Sequence, residues 1–72
     1  MNYTEFVRRF PEEKEIGRDI TDDEVVVYCD NGTEVGIWRQ NRSTTEGRGE
    51  VLSPDNADMA RHWFRQQSGR SR

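Results

Sequence analysis

The chain is poor in the residues that staple, ligate or cut. It holds one cysteine, Cys29, and one histidine, His62, among 72 residues. A lone thiol closes no internal disulfide, so a reducing, cytoplasmic setting is the expectation, or a fold completed by a partner. One cysteine and one histidine match no metal-ligand spacing, and they do not make a nucleophile, base and orienting group. No metal or cofactor is therefore expected, and the chain is read as not an enzyme. Apolar residues make up only 31%. No run approaches the ~18 apolar residues of a membrane helix, so no membrane span is expected. Met1-Asn2-Tyr3-Thr4-Glu5-Phe6 lacks a basic region followed by an apolar one, so no secretory signal is expected either. At 8.5 kDa the chain makes one domain. A domain of this size buries only ~60% of its unfolded surface, which excludes a large enclosed active site.

Charge is what the chain has in quantity, at 35% of residues with a net charge of −3. It is unevenly spread. Residues 1–35 set ten acids against Arg8, Arg9, Lys14 and Arg18, whereas residues 36–72 set seven arginines against Glu46, Glu50, Asp55 and Asp58. A two-signed surface of this kind orients a charged partner. The plainer reading is that such charge keeps a small domain soluble.

Local patterns predict the elements. Asn2 caps a first helix with Glu5 three residues on, and Tyr3, Phe6, Val7 and Phe10 form one apolar stripe that Pro11 ends. Residues 11–16 read as one further turn closed by Gly17, and residues 18–23 as a polar connector anchored by Ile20. Val25-Val26-Val27-Tyr28-Cys29 and Val35-Gly36-Ile37-Trp38 flank Asn31-Gly32, which predicts a two-residue type I′ hairpin. That turn sets Tyr28 opposite Val35 and Val26 opposite Ile37. One face then carries Val26, Tyr28, Val35 and Ile37 as core, and the other carries Val25, Val27, Cys29, Gly36 and Trp38. Residues 40–49 have no apolar side chain and read as a mobile loop, and Glu50-Val51-Leu52 as a short third strand. Ser53-Pro54-Asp55 opens a last helix by rule. Ala57, Met59, Ala60, Trp63 and Phe64 form its apolar stripe, Asp58, Arg61, His62 and Arg65 its outer side, and Gly69 its stop.

The expected architecture is α+β. A three-stranded antiparallel sheet, made of a hairpin over 24–39 and a strand over 50–52, has one face covered by the N-terminal and C-terminal helices. Residues 1–68 form the single compact domain and 69–72 a basic tail. Phe6, Phe10, Val26, Tyr28, Ile37, Trp63 and Phe64 are the expected core.

Two surfaces compete for function. Glu12, Glu13, Glu15, Asp19, Asp22, Asp23 and Glu24 place seven acids within residues 12–24. Carboxylates displayed on a small rigid domain imitate a row of phosphates and occupy a basic groove that normally takes nucleic acid. Trp38 is the expected aromatic anchor of such an interface. The bland reading of the same stretch is a solvated linker. The alternative function is a nucleic-acid-binding regulator that uses Trp38 with Arg39, Arg42, Arg48, Arg61 and Arg65 as a basic aromatic platform. The net negative charge weighs against it, because phosphate contacts supply most of such affinity. Gly47-Arg48-Gly49 with Arg42 lacks the lysine and the strand–helix setting of a phosphate loop, and reads as a connector.

In size, acidity and scarcity of cysteine, the chain resembles the small single-domain inhibitors of phages and mobile elements, of the anti-CRISPR and anti-restriction type. The resemblance implies stoichiometric, non-catalytic binding to a defence complex in the bacterial cytoplasm, at its nucleic-acid site. It transfers no individual residue. The partner it implies is a protein with a basic surface, such as a CRISPR effector or another nucleic-acid-binding complex; separately, a homodimer is a further expectation for the chain.

Overall fold

The computed structural model describes residues 1–70, with side chains through Gln67. Helix α1 spans Tyr3–Arg9, and a single 3-10 turn spans Glu12–Lys14. Strands β1 (Glu15–Ile20), β2 (Glu24–Asp30), β3 (Val35–Asn41) and β4 (Gly47–Val51) follow, and helix α2 (Pro54–Arg70) ends the described chain. The fold is α+β. The strands form one antiparallel meander in the order β1-β2-β3-β4, four strands rather than the three expected.

Both helix starts form as their sequences dictate. The Asn2 side chain accepts the Glu5 N–H at 2.9 Å, and the Phe10 N–H closes α1 on the Phe6 carbonyl at 2.7 Å. Ser53 Oγ accepts the Asn56 N–H at 3.4 Å ahead of α2. That helix continues through Gly69 to Arg70, so Gly69 is not its stop. Ser71 and Arg72 of the expected basic tail lie outside the described residues.

The β2–β3 hairpin has a four-residue loop in place of the two-residue turn. Asp30 pairs with Val35, Tyr28 with Ile37 and Val27 with Trp38. Only Gly32, at φ +93°, is left-handed within the loop, whereas a type I′ turn needs two such residues. Asn31 explains the longer loop. Its Oδ1 accepts the N–H groups of Thr33 and Glu34, at 3.0 and 2.8 Å, and satisfies backbone that a tighter turn would pair directly. The register is displaced by two residues, an even shift that leaves every side chain on its expected face.

Two further corrections concern strands. Residues 15–20, read as turn and connector, form β1 on the edge of the sheet, with a bulge between Glu15 and Gly17. Residues 40–49, read as a loop, complete β3 and begin β4 around a tight connection. There Asn41 Oδ1 accepts the Ser43 and Thr44 N–H groups at 2.8 and 3.0 Å.

The helices lie on opposite faces of the sheet rather than on one. Gly36 and Gly49 open a shelf on the first face. A Cβ at Gly36 would overlap the Phe10 ring, and one at Gly49 would come within 2.6 Å of Phe6. Phe6, Phe10, Cys29 and Trp38 form a buried cluster there. On the second face Phe64 of α2 lies over Gly17 and packs its ring 4.9 Å from that of Tyr28, with Val26, Val35, Ile37 and Ala57 buried around it. Trp63, expected in the core, is 58% exposed. Arg61, expected on the outer side, turns towards the sheet and binds Asp30 through Nε and Nη2 at 2.9 and 3.2 Å.

Candidate protein-binding surface

The acidic segment is not a linker. It is the 3-10 turn, the edge strand β1 and the turn into β2. Register divides its carboxylates between the two faces. Glu15 pairs with Cys29 and so belongs to the α1 face, while Asp19 pairs with Val26 on the α2 face, where Glu24 also lies. Asp22 and Asp23 sit in the turn between β1 and β2. The acids therefore wrap one edge of the sheet instead of forming a flat row.

Two of the seven are neutralised. Glu15 takes a two-pronged bond from Arg18 at 2.6 and 2.9 Å, and Glu24 pairs with Arg39 at 3.2 Å. Glu12, Glu13, Asp19, Asp22 and Asp23 have no ion pair among the described residues. Exposed pairs of this sort each add under ~1 kcal/mol, so their interest lies in where charge remains, not in stability.

The arginines are largely committed. Arg39 lies between Glu24 and Glu50, the second at 3.4 Å. Arg42 donates from Nη1 to the Thr21 carbonyl at 2.7 Å and from its backbone to the Asp23 carbonyl, which ties the two turns at that end of the sheet together. Arg61 holds Asp30 and also reaches Asp58 at 3.3 Å. The Arg61 guanidinium, by direct hydrogen bonding, keeps the Asp30 carboxyl below its ordinary range. Arg9 is bound to Glu34 at 2.7 Å. Of the five arginines of the nucleic-acid platform, only Arg48 and Arg65 keep a free guanidinium among the described residues.

Trp38 serves neither surface. It is 8% exposed, edge-on to Tyr3 at 5.2 Å and beside Phe6 at 5.6 Å, and its Nε1 donates to Gln40 at 3.2 Å. An anchor needs to stand free before it binds, and this indole is already used by the core. The reason lies at Gly36, whose missing side chain admits Phe10 and lets α1 close over that face. The exposed tryptophan is Trp63, because Phe64 and not its neighbour turns to the sheet.

Along the acidic edge, the α1 face keeps an open cleft of about 440 Å³. Tyr3 and Val7 of α1 form one wall, Val25 and Val27 the floor, and Glu12 and Glu15 part of the rim. It exists because α1 covers the β3–β4 half of the face and leaves the β1–β2 half bare. Cys29 lies beneath it. Burial, with the Glu15 charge adding to it, pushes this thiol up to about 11, so it stays protonated and unreactive at neutral pH. His62 is exposed on α2, across the sheet from Cys29. Among the described residues no group of three or more His, Cys, Asp or Glu is arranged to hold a metal. No described helix is long and apolar enough to cross a membrane.

Compared with family models, curated proteins and solved structures, the chain matches none.

Proposed function

We propose that this chain is a non-catalytic interaction protein whose acidic edge docks on the basic surface of a nucleic-acid-binding protein, as an inhibitor of the anti-CRISPR or anti-restriction type would. The observation that carries the reading is the asymmetry of ion pairing. Five of the seven carboxylates of residues 12–24 have no cationic partner among the described residues, while Arg39, Arg42 and Arg61 are held within the fold. Charge left unpaired on a rigid edge speeds encounter with an oppositely charged groove and fixes its orientation. The acids also keep β1 from pairing edge to edge with another sheet, a role compatible with binding.

The test neutralises only unpaired acids, in the variant Glu12→Gln, Glu13→Gln, Asp22→Asn, Asp23→Asn. Immobilised wild-type chain is expected to retain nucleic-acid-binding proteins from a bacterial lysate, to release them to added DNA or RNA, and to lose them in the variant. Mobility-shift assays with DNA and RNA fragments run beside it. Direct binding of nucleic acid by the chain, abolished by Arg48→Gln with Arg65→Gln and untouched by the acid variant, overturns the proposal in favour of the arginine surface.

A further inference from the structure

We propose that Asn31 is a self-modification site: its side-chain amide is lost to the backbone nitrogen of Gly32, and the docked end of α1 holds that reaction back. The proposal is independent of the acidic edge.

The hairpin loop gathers the parts of an acyl transfer around one carbonyl. The acyl group is the half-buried Asn31 side-chain amide, and the nucleophile is the nitrogen of the next residue, the exposed Gly32. Glycine brings no side chain to obstruct the approach, and a Cβ there would meet no atom within 4 Å. A proton acceptor stands beside the nucleophile. The Gly32 N–H donates to Asp30 Oδ1 at 2.9 Å, within the reach that a general base needs. Arg61, bound to the same carboxylate at 2.9 and 3.2 Å, keeps it ionised. Two donors face the oxygen on which charge develops. Asn31 Oδ1 accepts the Thr33 and Glu34 N–H groups at 3.0 and 2.8 Å, as a carbonyl does in an oxyanion hole.

The chemistry needs only water. The Gly32 nitrogen attacks Asn31 Cγ, and its proton passes by way of Asp30 to the departing Nδ2. An N–Cγ bond forms, the Cγ–Nδ2 bond breaks, and ammonia leaves. Water then opens the cyclic imide at either carbonyl. Opening at Cγ leaves aspartate. Opening at the main-chain carbonyl leaves isoaspartate, which lengthens the loop backbone by a methylene. Nothing is oxidised or reduced.

Helix α1 restrains the reaction. Arg9 ends that helix, so its carbonyl has no partner within it. Asn31 Nδ2 donates to this carbonyl at 3.2 Å, which fixes the leaving group. With Oδ1 bonded as well, the amide turns onto Gly32 only when the helix end lifts. The Arg9 guanidinium clasps Glu34 of the same loop at 2.9 and 2.7 Å, a second hold on that end. Local opening of α1 frees the amide. Either product lacks the Nδ2 donor and sets a carboxylate against the Arg9 carbonyl, acceptor against acceptor. Conversion therefore loosens the helix end that had delayed it.

The full chain, held in neutral buffer at physiological temperature, tests this. Proteolytic peptides are read over time by mass spectrometry for the mass gain of amide-to-acid conversion and for isoaspartate. Asn2, Asn41 and Asn56, followed by Tyr3, Arg42 and Ala57, are internal controls. Asn31 is expected to convert ahead of all three. Glu34→Gln, which removes the Arg9 ion pair, should convert about two- to fivefold faster, the worth of one exposed pair. Near-ultraviolet circular dichroism of buried Trp38 shows that the variant remains folded. Wild type unfolded in urea should convert faster than the folded chain. Asn31→Asp, which reproduces one product, should speed hydrogen exchange at Gly49, whose N–H is bonded to Met1 ahead of α1. Conversion at Asn31 no faster than at the controls overturns the site. A rate equal in the folded and urea-unfolded chain, or unchanged in folded Glu34→Gln, overturns the restraint by α1. Unchanged exchange at Gly49 in Asn31→Asp overturns the loosening of the helix.

Discussion

The two faces of the sheet are covered by helices of very different length, and the shorter helix packs better. Helix α1 has seven residues and α2 seventeen. Yet α1 and the residue that ends it bring Phe6 and Phe10 to 3% and 1% exposure, while α2 leaves Met59 and Trp63 outside. Length does not decide the matter. On the α1 face, glycines at 36 and 49 remove side chains where aromatic rings need to sit, so rings reach the backbone of the strands. On the α2 face the strands present Tyr28, Ile37 and Val26 beneath the helix, and Phe64 alone reaches backbone, at Gly17. Glycines let the short helix bury two aromatic rings, while the long one buries Ala57 and half of Phe64 and leaves Met59 and Trp63 exposed.

The largest expected effect tests the better-packed face. Phe10→Ala should cost ~3–5 kcal/mol, comparable to the whole stability of so small a domain, and its urea midpoint should fall to near zero. Phe64→Ala should cost about half as much, because the ring is only half-buried. Equal losses in the two variants would break the comparison and show α2 to be docked as firmly as α1.

A pH effect sharpens it. The Cys29 thiol titrates near 9.0 when unfolded and near 11 within the α1-face cluster. Its contribution to stability is therefore complete below pH 9 and is lost as pH rises through about 11. The stability of wild type relative to Cys29→Ala, followed by thermal denaturation, should shrink over that interval. A difference independent of pH would mean that the thiol is wetter than the packing implies. The smallest effect is expected at Trp63, where Trp63→Ser should change the thermal midpoint of the dilute chain by under ~0.5 kcal/mol equivalent.

Much of this architecture was legible from residue pattern, for identifiable reasons. The β2–β3 hairpin announced itself because Val25 to Cys29 and Val35 to Trp38 are β-branched or aromatic on both sides of a turn. Both helix starts were readable from Asn2 and Ser53, since a cap is a local interaction. Of the edge strands only the end of β4 was, through Glu50 and Val51. Glu15, Arg18 and Asp19 in β1, and Gly47, Arg48 and Gly49 in β4, carry no strand signature. They are extended because β2 and β3 offer backbone partners, which no local pattern records. The candidate surface was half legible. The carboxylates were visible as a cluster, but their division between two faces and the capture of Arg39 depend on strand pairing, and the capture of Arg61 on the docking of α2. Trp38 is buried instead of standing free because the Phe10 ring fills the space over Gly36 and α1 closes that face. Glycines at alternate positions of one face, facing an aromatic helix stripe, were the signal that a ring would fill it.

The meander also sets an order of events. Each strand pairs with its neighbour in the chain, so each hairpin closes a short loop at small entropic cost. Docking of α1 against β4 is different, since it brings the first residues back across most of the sequence. The Gly49 N–H donates to the Met1 carbonyl at 2.8 Å, a bond spanning 48 positions. Contacts of that separation form late in folding and open early in unfolding. Hydrogen exchange at Gly49 should accordingly outpace exchange at the central β2–β3 amides, and that single proton times the latching and release of the whole α1 face.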